Sequence, residues 1–324
     1  MSGQAGAPRA RYFSKEPKES LLIRFSTAAR KYWFIYLLAI PGLLFLLVFS
    51  YAPMYGVVLA FKDFKMNLGV MGSPWVGLYH YRELFADPAF IQAFKNTVII
   101  NIYNLIFGFT FNVFLALMIN ELQMKRLKSV VQTCVYLPYF LPWVIFAGLV
   151  QVFLQAPVPG DVGGVVNQVI QAMGGEPIDF MKRPEMFRGI LVITNIIKTA
   201  GYSTIIYLAA VAGVDPALYE AASIDGANRR DMLLHITIPR ILPSVAVMFL
   251  LSISQLFLSN FDQVYNLYNN FVLNTGDVLS TYIYRISLGG GGEFELSTAA
   301  NLLLNVMGLI ALVVTNRFVK KLDV

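Results

Sequence analysis

Residues 215–239, DPALYEAASIDGANRRDMLLHITIP, lie between two long apolar runs and read as two short helices joined by a tight turn. Asp215 is placed to cap the first helix, and Pro216 fits its first turn, where a missing N–H leaves no bond unmade. Gly226, preceded by Asp225, suits the left-handed position that ends such a helix. A second helix then runs from about Ala227 to Pro239, whose ring is expected to stop it. Ala221 and Ala222 leave a nearly flat surface that another backbone can approach closely, with Glu220 beside it as a charged peg. The stretch has the makings of a docking element. Short helices around an Asp-Gly turn are common, however, and by themselves carry no function.

The rest of the chain sets the context. Of 324 residues, 57% are hydrophobic and only 14% charged, and the mean hydropathy is +0.61. Soluble domains carry about 25% charged residues, so this is an all-α polytopic membrane protein. Six apolar segments, at about 33–57, 97–119, 129–154, 188–211, 242–261 and 298–317, each approach the roughly 20 residues a spanning helix needs. Pro41 and Pro53 predict that the unusually long first segment kinks or breaks near its outer end, and Pro138 and Pro142 predict a kink in the third. Residues 1–31 form a basic tail, with an amphipathic surface helix expected near its end; residues 32–318 form the membrane domain, and 319–324 a short tail. No small-residue cleavage site follows the first apolar run, so the start is not read as a signal peptide. The lone Cys134 excludes a disulfide framework, and His80 and His235, far apart in sequence, argue against a metal site.

Charge placement gives orientation. Seven Lys and Arg lie in the N-terminal tail and three each in the second loop, the fourth loop and the C-terminal tail, against seven spread over all the opposite loops. The positive-inside rule therefore places both termini and the 215–239 loop in the cytoplasm. The net charge of +6 follows topology and does not indicate nucleic acid. The outer loops, at about 58–96, 155–187 and 262–297, are long enough to contact a substrate-delivering protein or merely to cover the bundle. A short helix between Asp277 and Ser287, capped by Asp277, is expected in the last of them.

No Gly-x-x-x-x-Gly-Lys-[Ser/Thr] loop occurs, and no nucleophile–base or paired-carboxylate set lies within the segments. Any ATP that drives this protein is hydrolysed elsewhere. Polar residues inside spans face a bundle interior or a water-filled path, and three stripes at helical spacing qualify. They are Asn101, Asn104 and Asn112; Asn195, Lys198 and Tyr202; and Ser252, Gln255, Ser259 and Asp262, reaching Asn266. Hydrogen bonding between helices accounts for such residues equally well. Lys198, near the middle of its segment, is too deep to snorkel and needs a partner: an anionic saccharide, another subunit, or backbone carbonyls.

The order of residues in 215–239 resembles the EAA loop of binding-protein-dependent ABC importer permeases. It matches at Glu220, Ala221, Ala222, Asp225, Gly226, Ala227, Ile236 and Pro239, and departs at Leu233, where Phe is usual, and Ile238, where Leu is usual. Leu137 to Gln151 and Tyr202 to Ala227 look like the carbohydrate-importing branch, in particular permeases for polysaccharides, alginate among them. The resemblance implies a type I importer permease fold in a bacterial inner membrane, with the loop seated in a groove of a cytoplasmic ATPase. It also implies two ATP-binding subunits that hold ATP and Mg, a second permease subunit (a homologous different chain or a copy of this one), and an extracytoplasmic solute-binding protein. A self-sufficient carrier or channel for a polar solute is the competing reading. It would leave the 215–239 loop without a purpose.

Overall fold

The computed structural model describes residues 31–254, 256–257, 261–290 and 292–320. The surface helix expected in 1–31 therefore falls, up to residue 30, outside the described residues, as do residues 321–324. Contacts divide the chain into one unit ending at Gly56 and another beginning at Val57. The first contains α1 (Trp33–Leu46), which passes into a π turn at Leu47–Tyr51 with Pro41 inside the helix.

The second unit is helical throughout, and among the described residues its only strand-like pairings are two isolated bridges. In chain order it holds α2 (Tyr79–Ala86), then α3 (Pro88–Tyr103), which runs through a π turn at Asn104–Gly108 into α4 (Phe109–Asn120). Next come α5 (Lys125–Phe140), α6 (Trp143–Leu154), α7 (Val165–Ala172), α8 (Pro184–Ala212) and α9 (Pro216–Ile224). A further helix starts as α10 (Arg229–Met232), passes a π turn at Leu233–Thr237 and continues as α11 (Ile238–Ser254). Then follow α12 (Phe261–Leu267), a single helical turn at Leu273–Gly276, α13 (Leu279–Ile286) and α14 (Phe294–Lys320). Five continuous helical stretches among the described residues are long and apolar enough to cross a bilayer: Trp33–Phe61, Pro88–Asn120, Pro184–Ala212, Arg229–Ile253 and Phe294–Arg317.

Four expectations need correction. The third segment is not kinked but broken: α5 and α6 meet at 107°. Pro142 supplies no N–H, and Leu141, in an extended conformation, lets the chain turn. Pro239 does not stop its helix either. The π turn just before it widens the backbone, which relieves the ring's clash with the carbonyl four residues back. The fifth segment was expected to reach 261, yet Leu256 and Phe257 form a turn and a new helix, α12, begins at Phe261. Finally, Asp277 is not the cap of α13: the helix starts at Leu279, and the Asp277 carboxylate accepts from Arg285 at 2.6 and 3.1 Å and from Thr281 Oγ1 at 2.8 Å. The second span, by contrast, starts early for a legible reason. Asp87 accepts from the Ala89 N–H at 2.8 Å and Pro88 occupies the first turn.

Three buried clusters hold the second unit. One joins α3, α6, α8 and α12 through Ile100, Phe146, Phe187, Leu191 and Leu267. Another joins α2, α3, α13 and α14 through Leu84, Phe90, Tyr282 and Ala299. The third, Val211, Val214 and Ile241 with Leu218, Tyr219 and Ile236 packed against it, lies under the 215–239 loop. Each buried Val or Ile of this third patch contributes about 1.5–3 kcal/mol, so the loop is anchored by its own patch of core.

Candidate coupling hairpin and candidate substrate path

The 215–239 hairpin is built almost entirely from local hydrogen bonds. Asp215 sits in extended backbone and accepts the Ala217 N–H at 2.9 Å, with Pro216 next in line. At the other end Gly226 has φ +80°. The Ala227 N–H reaches the Ala222 carbonyl at 2.9 Å and the Gly226 N–H reaches Ser223 at 3.2 Å, the paired bonds of a Schellman motif. The chain then restarts with a capping box: Asn228 Oδ1 accepts from the Asp231 N–H at 3.1 Å, and Asp231 Oδ2 from the Asn228 N–H at 3.2 Å. Each cap is worth about 0.5–2 kcal/mol, so the reversal is fixed by sequence rather than by a partner.

Burial separates the two faces of α9. Leu218 and Tyr219 turn inward, and the Tyr219 hydroxyl lies 2.9 Å from Thr237 Oγ1. Ala217, Glu220, Ala221 and Ile224 are all exposed, and their spacing puts them on one stripe. Ile224 is 87% exposed. The exposed face of α9 is this stripe, and of the Ala221–Ala222 pair only Ala221 belongs to it, Ala222 being half-buried. Sequence reading passed over Ile224, although its place four residues after Glu220 was the available signal. Asp225 and Gly226 sit exposed at the tip, Ala227 and Ile236 are half-buried, and Pro239 is exposed along the helix.

The candidate path residues are dispersed. Asn195 is half-buried on α8, with its carbonyl accepting from Thr199 Oγ1 at 2.7 Å. Tyr202, half-exposed, stacks on Tyr139 with ring centroids 4.9 Å apart and planes at 10°. Lys198 between them is buried, and its Nζ donates to the carbonyls of Pro138 (3.2 Å), Tyr139 (3.1 Å) and Leu141. Asp262 stands exposed on α12, a different helix from Ser252, so that stripe is not continuous. Gln255 and Ser259 lie outside the described residues.

Two neighbours were missed because their partners are remote in sequence. Gln263, buried, donates to the Leu191 carbonyl at 2.6 Å and to Thr194 Oγ1 at 2.9 Å, seating α12 on α8. Gly201 packs so tightly on α5 that a β-carbon there would lie 2.6 Å from the Val135 carbonyl oxygen. Of the asparagine stripe, Asn101 donates to the Leu256 carbonyl at 2.7 Å, tying α3 to the turn beyond α11. The side-chain oxygens of Asn104 and Asn112 are buried and accept no bond among the described residues.

On the loop side, Tyr282 is buried and donates to Asp87 Oδ2 at 2.6 Å. Burial, then that hydrogen bond, pushes the phenol pKa well above its ordinary value. The Arg285 guanidinium is likewise raised, first by its hydrogen bond to Asp277.

Comparison with known proteins fits this arrangement. Residues 108–324 match the family model described as binding-protein-dependent transport system inner membrane component. The polygalacturonan/rhamnogalacturonan transport system permease protein YteP of Bacillus subtilis (strain 168) is 40% identical over 98% of this chain and 96% of its own. Protein LplB of the same organism is 36% identical over 93% of each chain. A chain in the crystal structure of a bacterial ABC transporter involved in the import of the acidic polysaccharide alginate superposes with a TM-score of 0.84 and 38% identity, over 92% of this chain and 99% of that one. With the capped hairpin and the apolar helices already in view, the chain belongs to the inner-membrane permease components of binding-protein-dependent transport systems.

Proposed function

We propose that this chain is one of two membrane-spanning subunits of an ATP-driven importer for an acidic oligo- or polysaccharide, and that it catalyses no reaction itself. The observation that carries the coupling role is the exposed Ala217–Glu220–Ala221–Ile224 stripe on a hairpin whose helix ends are capped from within its own sequence. A rigid apolar ridge with one charged peg suits insertion into a groove of an ATPase. In this reading two ATPase subunits bind ATP and Mg, and a homologous but different permease chain completes the bundle. A solute-binding protein delivers the saccharide to the outer loops. Both termini and the hairpin are cytoplasmic, in keeping with the Lys and Arg distribution.

The acidic character of the cargo is supported by relatives named for alginate and for polygalacturonan, both uronate polymers. Asn195, the exposed Tyr202 ring and Asp262 are the residues of this chain proposed to border the path, together with Gln255 and Ser259. Solubilised from membranes, the tagged chain should bring an ATP-binding subunit with it, and the assembled complex should import a uronate oligomer only with ATP. Saccharide uptake into liposomes holding this chain alone, without ATP, would overturn the reading in favour of a self-sufficient carrier.

A further inference from the structure

The break between α5 and α6 leaves a problem that Lys198 solves. The last carbonyls of a helix have no partners within it, and inside a membrane no water is at hand to take them up. At the end of α5, Leu141 is extended and Pro142 carries no N–H, so no helical donor follows for the carbonyls of Tyr139 and Leu141, and that of Pro138 accepts only the long bond from the Leu141 N–H at 3.3 Å. Lys198 of α8 reaches all three from some sixty residues away. An ammonium has three N–H donors and no acceptor, so three carbonyls match it bond for bond. A helix C-terminus also carries partial negative charge, which favours a cation there. The rings of Trp143, Phe146 and Tyr139 lie 5.2, 5.8 and 5.9 Å from Nζ and complete an aromatic cage. One turn along, Gly201 lets α8 lie directly against Val135 and Tyr136, bringing the lysine within reach.

We propose that the Lys198 ammonium is the C-terminal cap of α5, supplied by α8, and that as a positioning residue it fixes the 107° elbow and holds Tyr139 against Tyr202 during transport. The cap does not pair with substrate, since its three donors are taken, and it acts whichever saccharide is carried.

The test uses the full transporter in membranes, with Cys134→Ser and Ala147→Cys. Ala147 is buried in α6, beside Phe146 of the cage, and reports whether the elbow has opened. Lys198→Met should raise the rate of thiol labelling at position 147 about tenfold, as expected when a local opening equilibrium shifts. Lys198→Arg, which keeps the charge and the donors, should restore most of the protection. Transport of acidic and neutral saccharides should fall by similar factors in Lys198→Met. Unchanged labelling in Lys198→Met would overturn the cap. So would a transport loss confined to acidic saccharides, which would assign the charge to the substrate. If Lys198→Met does not accumulate, Lys198→Gln, with two donors, should label at an intermediate rate, and wild-type labelling there would equally refute the proposal. The labelling needs no substrate, so a transporter found to carry only neutral sugars would refute the proposed cargo and leave the cap standing.

Discussion

The Tyr219 phenol oxygen lies 2.9 Å from Thr237 Oγ1, so α9 is tied to the π turn at the root of α11. A push on the exposed face of α9 is therefore passed to a helix that runs into the membrane, without relying on the flexibility of the turn at Gly226. In the coupling role proposed above, this tie carries the motion, and it sets the first prediction. Tyr219→Phe should leave the hairpin folded but weaken the link between ATP hydrolysis and uptake, so that hydrolysis persists while saccharide moved per ATP falls.

Gly226 has φ +80°, and nothing lies within 4 Å of where its β-carbon would be. Substitution is thus opposed by backbone strain alone, about 1–2 kcal/mol for most residues. Gly226→Val should uncouple or release the ATPase with the bundle still inserted, whereas Gly226→Asn, which tolerates the left-handed region, should retain most transport. Pull-down of the ATPase with each variant checks the ranking, and equal behaviour of the two would speak against the assigned role.

Ile224 is almost wholly exposed, so Ile224→Ala should change the stability of this chain by no more than about 0.5 kcal/mol. If it anchors in a groove, the same change should weaken ATPase association by more than about 1 kcal/mol. Thermal unfolding of the solubilised chain and titration with the ATPase separate the two quantities.

Orientation can be read with thiol reagents in a Cys134→Ser background. Ser223→Cys, on the hairpin, should react with an impermeant reagent only from the cytoplasmic side. Leu288→Cys, in the exposed stretch after α13, should react only from outside. The opposite pattern would reverse the topology.

Tyr282 offers a prediction in pH. Its phenol pKa is raised in the folded chain, so the stabilisation from its bond to Asp87 is complete below the ordinary tyrosine value near 10. It is lost as pH climbs above that value toward the folded one. Tyr282→Phe should cost about 1.5–3 kcal/mol at neutral pH, the range for a hydrogen bond to a charged group. The gap between wild type and variant should narrow progressively above about pH 10. A gap constant through that range would mean the phenol proton is not what holds α13 to α3.

What could be read from sequence follows the range of the interactions involved. The hairpin was legible residue by residue, since Asp215, Pro216 and Gly226 act on backbone groups within a few positions of themselves. Spans were legible because apolar length is a local property. Proline was misread at 239, where a widened turn absorbs the ring, and understated at 142, where a kink became a break. The carbonyl partners of Lys198 were one option among several, because they lie 57 to 60 residues away on a helix whose end was not foreseen. Gln263 and Gly201 were invisible for the same reason: each acts on another helix.

The π turn at Leu233–Thr237 holds one residue more than a regular helix would need for the same rise. Each residue of an α-helix carries the chain through about 100°. Because the wide turn already absorbs that extra residue, deleting one of the five positions should let the helix close to regular geometry with the hairpin keeping nearly its present bearing. A deletion in the regular part of α11 has no such slack and should swing everything beyond it through the full 100° about the helix axis. Tolerance of a lost residue is thus confined to one turn of this helix, and elsewhere a single-codon deletion would redirect the exposed stripe without altering any of its side chains.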